Sequence, residues 1–532
     1  MFTKHTEWLS QKKTHIKENK KEKLLQQKII SRIPEYLPDS YPLARSIKRH
    51  FTLHIGPTNS GKTHFAMQAL KDSLNGAFFA PLRLLAYEQY ERLNNDGYPC
   101  TLLTGEERII TDNARFTAST IEMANFTTFY ETVVIDEAQM LSDKDRGGAW
   151  TAAILGLYSP NIHICMSPDA EKIIETLIKM CGDTYTVTKH ERKTKLLAQK
   201  KRFIFPNDVE DGDALVVFSR KSVHSVAAAL SEKHIPCSII YGALPYDVRH
   251  AEAEKFADGR SNVVVSTDAI GMGLNLPIKR VVFLETEKFD GHDMRMLTAS
   301  EIKQIAGRAG RFGLYNEGIV ASTQNISYIQ KKIEEPLKDI QKAALAFPEA
   351  LVDVDDSLSN TIKAWTKTID ASVFETSGVE NLLALVELLE KITQDKKFIY
   401  KCATIAVDVK NTVLLNLWYH LCNVMLKQKE SGIEIFSFQP NTISYPKNNL
   451  NSKDMELLEI AYRETDLYYQ FAVRFNYNSF LPTIQAIRYE ISDLIFSLLQ
   501  QGKYTHKTCK SCGKILPFGY QYGYCDDCYF SF

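Results

Sequence analysis

A glycine-rich loop between a strand pattern and a helix pattern constrains this chain most. The loop Gly56–Thr63 reads Gly-Pro-Thr-Asn-Ser-Gly-Lys-Thr, follows the apolar run Phe51–Ile55 and precedes the helical pattern His64–Leu70. In loops of this form, backbone N–H groups point at phosphate oxygens, the lysine reaches the β- and γ-phosphates, and the next hydroxyl holds Mg²⁺. The sequence therefore predicts a nucleotide site. Its expected contacts are Gly56, Pro57, Thr58, Asn59, Ser60, Gly61, Lys62 and Thr63.

A second stretch places two carboxylates directly after a buried strand. Val133–Gln139 reads Val-Val-Ile-Asp-Glu-Ala-Gln. We expect Asp136 to hold Mg²⁺, directly or through water, and Glu137 to orient and deprotonate the attacking water. With the phosphate loop upstream, this stretch predicts an enzyme that hydrolyses a nucleoside triphosphate with Mg²⁺.

Short apolar strands alternate with helices from Phe51 to about Asn325. The first run of strand patterns comprises Ala77–Ala80, Thr101–Leu103, Arg115–Ala118, Thr132–Ile135 and Ile162–Cys165. After the basic stretch Lys189–Arg202, a second run comprises Ala214–Phe218, Cys237–Ile240, Asn262–Val265, Arg280–Leu284 and Gly318–Ala321. This alternation is typical of parallel sheets covered by helices on both faces. We predict the α/β class with two tandem domains, of which only the first has a phosphate loop.

The remaining chain has helical periodicity, and the whole divides into five predicted parts. Helices are expected over Tyr328–Ala346 and within Val352–Leu499, with Gln439–Lys453 as a surface loop. The five parts are a basic helical segment (1–50), two α/β domains (51–188 and 189–325), a helical domain (326–503) and a zinc ribbon (504–532). A hydrophobic fraction of 44% with 24% charged residues excludes disordered and fibrous classes. No apolar run approaches a membrane span, so no membrane partner is expected.

The start of the chain bears on location. Met1–Lys23 is Lys-rich and lacks the apolar core of a secretory signal. It is also poor in Arg and carries Glu7, Glu18 and Glu22, which argues against a mitochondrial transit peptide. We therefore expect a cytoplasmic rather than a mitochondrial protein. The lysines here and the stretch Lys189–Arg202 are either solvated faces and linkers or nucleic-acid phosphate contacts.

A third motif supplies arginines. The residues from Gln304 to Arg311 read Gln-Ile-Ala-Gly-Arg-Ala-Gly-Arg, and on one helix Gln304, Arg308 and Arg311 would share a face. Arginines aimed across a cleft stabilise the charge of phosphoryl transfer. We expect Arg311 as the arginine finger and Arg308 as a second phosphate or coupling contact, with the roles exchangeable. Gly307 and Gly310 would leave the opposite side small enough for close approach.

The stretch Ser266–Asn275 follows a buried strand and is rich in small residues. Such residues let backbone amides approach a nucleic-acid phosphate, and Thr267 adds a hydroxyl. Asp268, Gly271 and Gly273 are predicted on the nucleotide side of this segment.

Together the motifs resemble superfamily 2 helicases, most closely the RNA helicase family of the mitochondrial RNA degradosome and its bacterial relatives. Besides the phosphate loop, the resemblance rests on Ala80–Ala86 followed by Glu88, Thr104–Arg108, Tyr241–Pro245, Asp268–Asn275 and Gln304–Phe312. It implies two RecA-like domains and ATP-driven translocation on single-stranded RNA, in the 3′ to 5′ direction. It also implies duplex unwinding in RNA turnover, with an exoribonuclease as a candidate partner. The RNA contacts it implies are Pro81, Arg83, Thr104, Gly105, Thr120, Ser219, Gly242 and Thr267.

The chain departs from the family pattern at Ala138, at Met166–Asp169 and in its C-terminal cysteines. The segment Met166–Asp169 stands where the family links hydrolysis to strand movement. Two other activities are weighed beside the RNA helicase. A DNA helicase or translocase uses the same phosphate and sugar contacts, and an ATP-switched RNA clamp would bind without unwinding.

The segment Lys288–Asp293 contains Asp-Gly flanked by extended residues, a strong hairpin signal. Related helicases carry a strand-splitting hairpin at this place. We predict a hairpin at Glu285–Thr298 with Phe289 near its tip as a wedge against RNA, and an ordinary surface loop as the alternative.

Two Cys-x-x-Cys pairs lie at the C-terminus, Cys509 with Cys512 and Cys525 with Cys528. This spacing fits structural, tetrahedral Zn²⁺. Disulfides are the alternative, disfavoured because the six other cysteines fall in apolar patterns typical of reduced core residues. So short a segment would depend on the metal to fold. The tyrosines between the pairs, Tyr520, Tyr522 and Tyr524, would either stack on RNA or pack the ribbon against the helical domain.

Overall fold

The computed structural model describes residues 21–271, 276–311, 313–504, 509–514, 516, 518, 520 and 523–530. The predicted contact Gly273, the ribbon residue Tyr522 and residues 1–20 of the basic segment lie outside these ranges.

The first α/β domain is built on an eight-stranded sheet. Its strands are β1 (His50–Ile55), β2 (Gly76–Ala80), β3 (Cys100–Leu103), β4 (Arg108–Ile109), β5 (Phe116–Thr120), β6 (Thr132–Ile135), β7 (Asn161–Met166) and β8 (Thr184–Lys189). They lie in the order β4-β3-β5-β2-β6-β7-β1-β8 and pair in parallel, except that β4 is antiparallel to β3. Parallel strands put their carboxyl ends at one edge, so the loops after β1 and β6 both lie there, with β7 between the two strands.

The second α/β domain has a six-stranded parallel sheet, and a small hairpin extends from it. The strands are β9 (Lys195–Ala198), β10 (Asp213–Val216), β11 (Cys237–Ile240), β12 (Val263–Ser266), β13 (Arg280–Phe283), the hairpin strands β14 (Glu287–Phe289) and β15 (Met294–Met296), and β16 (Glu317–Ser322). The sheet order is β11-β12-β10-β13-β16-β9.

The helices cover both sheets and form the C-terminal region. They are α1 (21–30), α2 (Pro42–Arg45), α3 (Lys62–Lys71), α4 (Arg83–Asn95), α5 (Gly147–Gly156), α6 (Glu171–Met180), α7 (Arg220–Glu232), α8 (Tyr246–Ala257), α9 (Ala299–Ala306), α10 (Ile326–Glu334), α11 (Leu358–Trp365), α12 (Val379–Leu389), α13 (Lys396–Ala403), α14 (Thr412–Ser431), α15 (Asp454–Phe475), α16 (Leu481–Gln500) and α17 (Asp526–Tyr529). Across the described residues, every helix is too short or too polar to cross a membrane.

The basic stretch between the two runs of strands is more ordered than the predicted interruption. Lys189 ends β8, and β9 pairs with β16 at the edge of the second sheet. Edge strands carry many charged, half-exposed residues, so they lack the apolar run by which the buried strands are found. Only residues 190–194 remain to connect the two sheets.

The helix predicted over Tyr328–Ala346 is wrong in its second half. Helix α10 ends at Glu334, and Ala343–Leu345 forms β17, which pairs in parallel with β18 (Phe374–Thr376). This strand packs on α5 of the first domain, where a Cβ on Gly148 would lie 2.5 Å from the backbone nitrogen of Ala346. A pairing partner distant in sequence and a glycine-lined groove decide this strand, and neither is visible in local periodicity.

The helical region shares one hydrophobic core with an outer face of the second sheet. Trp418 and Phe471 belong to the same buried cluster as Val265 and Val282. Leu25 and Ile29 of α1 join it, so the N-terminal helix also rests on this core. The cysteines outside the C-terminal group are free, and all but the partly exposed Cys181 are buried, as predicted.

Candidate functional site

The phosphate loop lies at the carboxyl end of β1 and leads into α3. Asn59 and Gly61 adopt positive φ angles of 63° and 86°, which wraps the loop around its centre. The Lys62 ammonium donates to the carbonyls of Gly56 (2.7 Å) and Pro57 (2.8 Å). The charge is thus held over the hollow that the loop's backbone encloses, where a phosphate would sit.

The two predicted carboxylates follow β6 at the same sheet edge. Asp136 is buried and accepts hydrogen bonds from the Thr63 hydroxyl (3.2 Å) and the Glu137 backbone (3.0 Å). Burial, with the Glu137 carboxylate beside it, raises the pKa of Asp136. A hydroxyl and a carboxylate this close are the hard oxygen donors that Mg²⁺ uses, so Thr63 and Asp136 fit that ion.

Glu137 connects the cleft to the segment that departs from the family pattern. Its carboxylate accepts from the Gln139 side-chain amide, and the Gln139 oxygen accepts from the Ser167 backbone at 3.1 Å. Despite its different sequence, Met166–Asp169 therefore keeps a hydrogen-bonded path to the residue expected to activate water.

The arginines of the third motif do not share a helical face. Helix α9 ends at Ala306, and residues 307–311 form a turn, here called the arginine turn. Gly310 has a φ of 68°, a left-handed conformation that is incompatible with a continuing helix. The spacing rule failed because it assumed that one helix continues from Gln304 to Arg311, whereas the helix already ends at Ala306. Gln304 remains on the helix and packs beside Gly271, where a Cβ would lie 3.5 Å from its Cγ.

One cleft of about 280 Å³ brings the two domains' predicted groups together. The phosphate loop, Asp136 and Glu137 line one side, and Arg308 and Arg311 line the other. Arg308 donates through Nε to the Gly271 carbonyl at 3.0 Å. Burial lowers the pKa of Arg308, although the negative charges of Glu137 and Asp136 act to raise it.

Sequence reasoning assigned no site role to two charged residues of α4 that also line this cleft, Glu88 and Arg92, although Glu88 belongs to the family motif. Burial raises the pKa of Glu88, opposed by the charges of Arg308 and Arg92. Their spacing of four residues on α4 was a usable signal, since it places both side chains on one helix face.

Asp268 lies behind the cleft rather than in its lining. Its carboxylate pairs with Lys288 of the hairpin at 3.2 Å. Gly271, three residues on, accepts from Arg308, so this segment contacts the nucleotide side through that arginine.

A larger cavity, of about 550 Å³, lies between both α/β domains and the helical region. Of the predicted RNA contacts, it is lined by Arg83 and Gly242, and Arg249 and Arg463 add two more cations. Arg83 pairs with Glu106, whose carbonyl accepts from Arg488 of α16 at 2.8 Å. The helical region therefore fixes one wall of this cavity.

The other predicted RNA contacts have local roles. Thr104 accepts from the Glu107 backbone at 2.9 Å, Ser219 caps α7, and the Pro81 carbonyl accepts from Arg146. Thr120 is buried at the end of β5, and a Cβ on Gly105 would meet nothing within 4 Å. Thr267 donates its backbone N–H to the Ile240 carbonyl.

The predicted hairpin is present. Strands β14 and β15 pair antiparallel with Phe289 opposite Met294, and Asp290–Asp293 forms the turn. The two side chains are 60% and 62% exposed. Both apolar side chains are therefore accessible to a partner at the end of the hairpin.

The C-terminal cysteines converge. All four Sγ atoms of Cys509, Cys512, Cys525 and Cys528 lie within 4.8 Å of one another, and those of Cys512 and Cys525 are 3.6 Å apart. Thiolates at about 2.3 Å from a tetrahedral Zn²⁺ would be spaced in this range.

One ring contact joins the ribbon to the second α/β domain. Phe518 packs edge-on against Phe205 of the second α/β domain at 5.5 Å between ring centroids. Whether the tyrosines stack on RNA or pack on the helical domain stays a prediction. Tyr524 is 38% exposed.

Comparison with known families gives two adjoining matches. The DEXQ-box helicase domain of Suv3 matches residues 38–190, and the helicase conserved C-terminal domain matches residues 194–313. The matches meet at the connection between the two sheets, and they identify both as the tandem RecA-like domains of a helicase.

Relatives match over most of the chain. The mitochondrial ATP-dependent RNA helicase SUV3 of Saccharomyces cerevisiae is 33% identical over 88% of this chain and 67% of its own length. The mitochondrial DExH-box ATP-dependent RNA helicase DExH16 of Arabidopsis thaliana is 34% identical over 82% of this chain and 78% of its own. The mitochondrial ATP-dependent RNA helicase SUPV3L1 of Danio rerio is 32% identical over 82% and 60%.

These names correct one expectation. A cytoplasmic location was expected from the Lys and Glu content of Met1–Lys23, but the relatives are named mitochondrial proteins. The charge of one short segment reports its local solvation and is a poor guide to location, so the expectation is wrong.

The domains imply ATP with Mg²⁺, the cleft holds residues suited to both, and the relatives are RNA helicases. The protein is an ATP-hydrolysing RNA helicase with RNA as its substrate. The chain belongs to the SUV3 family of ATP-dependent RNA helicases.

Proposed function

We propose that ATP is hydrolysed in the cleft between the two RecA-like domains, with the roles divided between them. Lys62 contacts the phosphates, Glu137 accepts the proton of the attacking water, and Arg311 stabilises the transferring phosphoryl group with help from Arg308. Thr63 and Asp136 hold Mg²⁺, which neutralises phosphate charge when bound. The observation that supports this most is that all these side chains line one cleft although they come from opposite domains.

We further propose that RNA passes through the larger cavity and that the protein moves along it 3′ to 5′. Arg83, Arg249 and Arg463 supply cations, and Gly242 leaves the backbone open to close approach. The hairpin with Phe289 and Met294 is the proposed strand separator, because its apolar side chains could replace base stacking.

The test is hydrolysis followed by strand displacement. RNA is expected to stimulate ATP hydrolysis more than DNA of the same sequence, and a duplex with a 3′ single-stranded tail is expected to be opened in preference to one with a 5′ tail. Equal stimulation by DNA would favour a DNA translocase. Stimulated hydrolysis with no displacement from either tail would favour an ATP-switched clamp.

The cysteine cluster is proposed to be a structural zinc ribbon within residues 504–532. Its support is the convergence of four free thiols on one point. Burial raises the pKa of Cys509, but backbone hydrogen bonds from Cys512 and Cys525 outweigh it and lower that pKa to about 6. A hydrogen bond with the Cys512 thiol raises the pKa of Cys528.

Two wider roles rest on the family. We propose that the protein serves RNA turnover in the mitochondrion, with an exoribonuclease that degrades the strand it releases. Addition of a 3′ exoribonuclease to a structured RNA should then give complete degradation only when the helicase and ATP are present.

We also propose that the chain divides into five parts, which limited proteolysis with mass analysis would test. Their bounds are 1–50, 51–188, 189–325, 326–503 and 504–532.

A further inference from the structure

The short connection between the two sheets carries an arginine whose partners all belong to the ATP cleft or to the connection itself. Arg192 lies between β8 of the first domain and β9 of the second. Its Nη1 donates to the carbonyl of Gly307 (2.7 Å) in the arginine turn and to that of Thr58 (3.3 Å) in the phosphate loop. Its Nη2 donates to Ala309, also in the turn. One guanidinium thus touches both walls of the cleft.

The fork of the guanidinium suits this task. Its other nitrogen, Nε, donates to the Thr194 carbonyl at 2.8 Å, so the side chain is anchored to its own connecting segment. The described partners are backbone carbonyls, and burial lowers the pKa of Arg192 only to about 10, so it stays charged near neutral pH. Charged donors make hydrogen bonds about twice as strong as neutral ones.

Neighbouring contacts reinforce the same junction. The Asn59 side-chain amide in the phosphate loop donates to the Gly310 carbonyl at 3.0 Å, and the buried Thr194 hydroxyl donates to that carbonyl at 2.7 Å. At Gly318, on β16, an added Cβ would lie 3.0 Å from the Arg192 guanidinium and 2.6 Å from the Ala309 carbonyl. The packing leaves room for this side chain and little else.

We propose that Arg192 is a positioning residue that, with Asn59 and Thr194, fastens the arginine turn to the phosphate loop and so sets where Arg308 and Arg311 stand over the phosphates. It contacts neither substrate directly. The inference rests on the proposed role of Arg311. It gives Arg192 a specific role, whereas the sequence indicated only that the basic stretch Lys189–Arg202 is a linker or an RNA contact.

The central experiment compares steady-state ATP hydrolysis at saturating RNA. Arg192→Gln is expected to lower kcat about 10²-fold, the cost of misplacing catalytic groups by about 1 Å, and to leave the KM for RNA unchanged. Arg192→Lys should recover only part of the loss, because an ammonium lacks the planar fork that reaches four carbonyls. In an Arg311→Ala background, Arg192→Gln should lower kcat much less than it does alone, since only its effect through Arg308 remains.

The matched control is Lys201→Gln, which removes an exposed positive charge from the same stretch. It should leave kcat unchanged. If both variants instead raise the KM for RNA and weaken its salt dependence, the stretch binds phosphates and the proposal is wrong. The proposal would also be wrong if the double variant Arg192→Gln/Arg311→Ala lost kcat by the full product of the losses of the two single variants.

A second variant covers the case in which Arg192→Gln does not fold. Thr194→Val deletes the hydroxyl that reaches Gly310 and keeps the shape of the side chain. A loss of kcat that is again much smaller in the Arg311→Ala background supports the proposal, and an unchanged kcat contradicts it. The proposed function has its own test. If the wild-type protein shows no RNA-stimulated hydrolysis, the proposed function is wrong, whereas the Arg192 proposal is tested only by differences in kcat between the variants.

Discussion

A Cβ atom on Gly307 would lie 2.6 Å from the Cβ of Thr58, so the second RecA-like domain touches the phosphate loop at a point where only glycine fits. This contact, together with Arg192, makes the ATP cleft a junction between two separately folded sheets. We therefore expect the rate of hydrolysis to depend on the relative position of the two domains.

Gly307→Ala should separate ATP binding from hydrolysis. The added methyl group must displace one wall of the cleft, a kind of overpacking that costs about 1–3 kcal/mol. Because the phosphate loop itself is intact, binding of a non-hydrolysable ATP analogue should persist while kcat falls. The double variant Thr58→Gly/Gly307→Ala removes the opposing Cβ and is expected to regain part of the lost rate. Wild-type kcat in Gly307→Ala would contradict the close contact.

Lys62→Ala and Glu137→Gln should fail in different ways. The first removes a charge held over the loop's hollow, so nucleotide affinity should drop. The second keeps a similar shape but cannot accept a proton, so affinity should persist and single-turnover hydrolysis should slow. Near-normal turnover in Glu137→Gln would remove this residue from the proposed mechanism.

Phe289→Ala should impair unwinding more than hydrolysis. The side chain is 60% exposed at the end of a hairpin and packs little of the core, so stability should barely change. Displacement of a tailed duplex should slow, with RNA-stimulated hydrolysis retained. Leu74→Ala is the matched control, since Leu74 is 74% exposed just before β2, at the opposite sheet edge from the cleft. Equal loss of both activities would show a structural role for the hairpin.

Zinc content gives the test of the ribbon. Protein prepared without chelators is expected to hold about one zinc per chain, and Cys525→Ser with Cys528→Ser should remove it while leaving nucleotide binding intact. Cys181→Ser, outside the cluster, should keep the metal. Intact disulfides among the four cysteines in a mass spectrum would exclude the site.

Acid should destabilise the first domain through three linked histidines beside the phosphate loop. His54 is buried and hydrogen-bonded to His190 (3.0 Å) and His163 (2.9 Å). Burial, then the charges of His163 and His190, lower the pKa of His54 from 6.5 to about 4.

The sign follows from which state binds the proton first. The unfolded chain protonates His54 as pH falls below 6.5 and the folded chain only near pH 4, so stability is lost across that window. Thermal unfolding between pH 7 and pH 4 should show the loss, with a slope that is reduced in His54→Gln. His420→Gln, an exposed histidine, should leave the slope unchanged. An unaltered slope in His54→Gln would refute the assignment.

The sequence by itself determined the features that depend on local backbone chemistry. The phosphate loop needs glycines at set positions, buried parallel strands such as Thr132–Ile135 need continuous apolar runs, and Asp-Gly favours a hairpin. Each of these signals lies within a few residues of the structure it specifies. For that reason the sequence was sufficient to predict the two sheets, the hairpin at Phe289 and the convergence of the cysteines.

Only the tertiary structure decided where elements meet. The end of α9 at Ala306, the strand at Ala343–Leu345 and the junction at Arg192 depend on partners far away in the chain, among them Gly318, Phe374 and Thr58. Close approach of two backbones depends on how the elements pack. The sequence around a glycine or an arginine is the same whether or not that residue contacts a distant backbone. The motifs therefore predict which residues form the ATP site, and only the tertiary structure shows the contacts between the two domains that complete it.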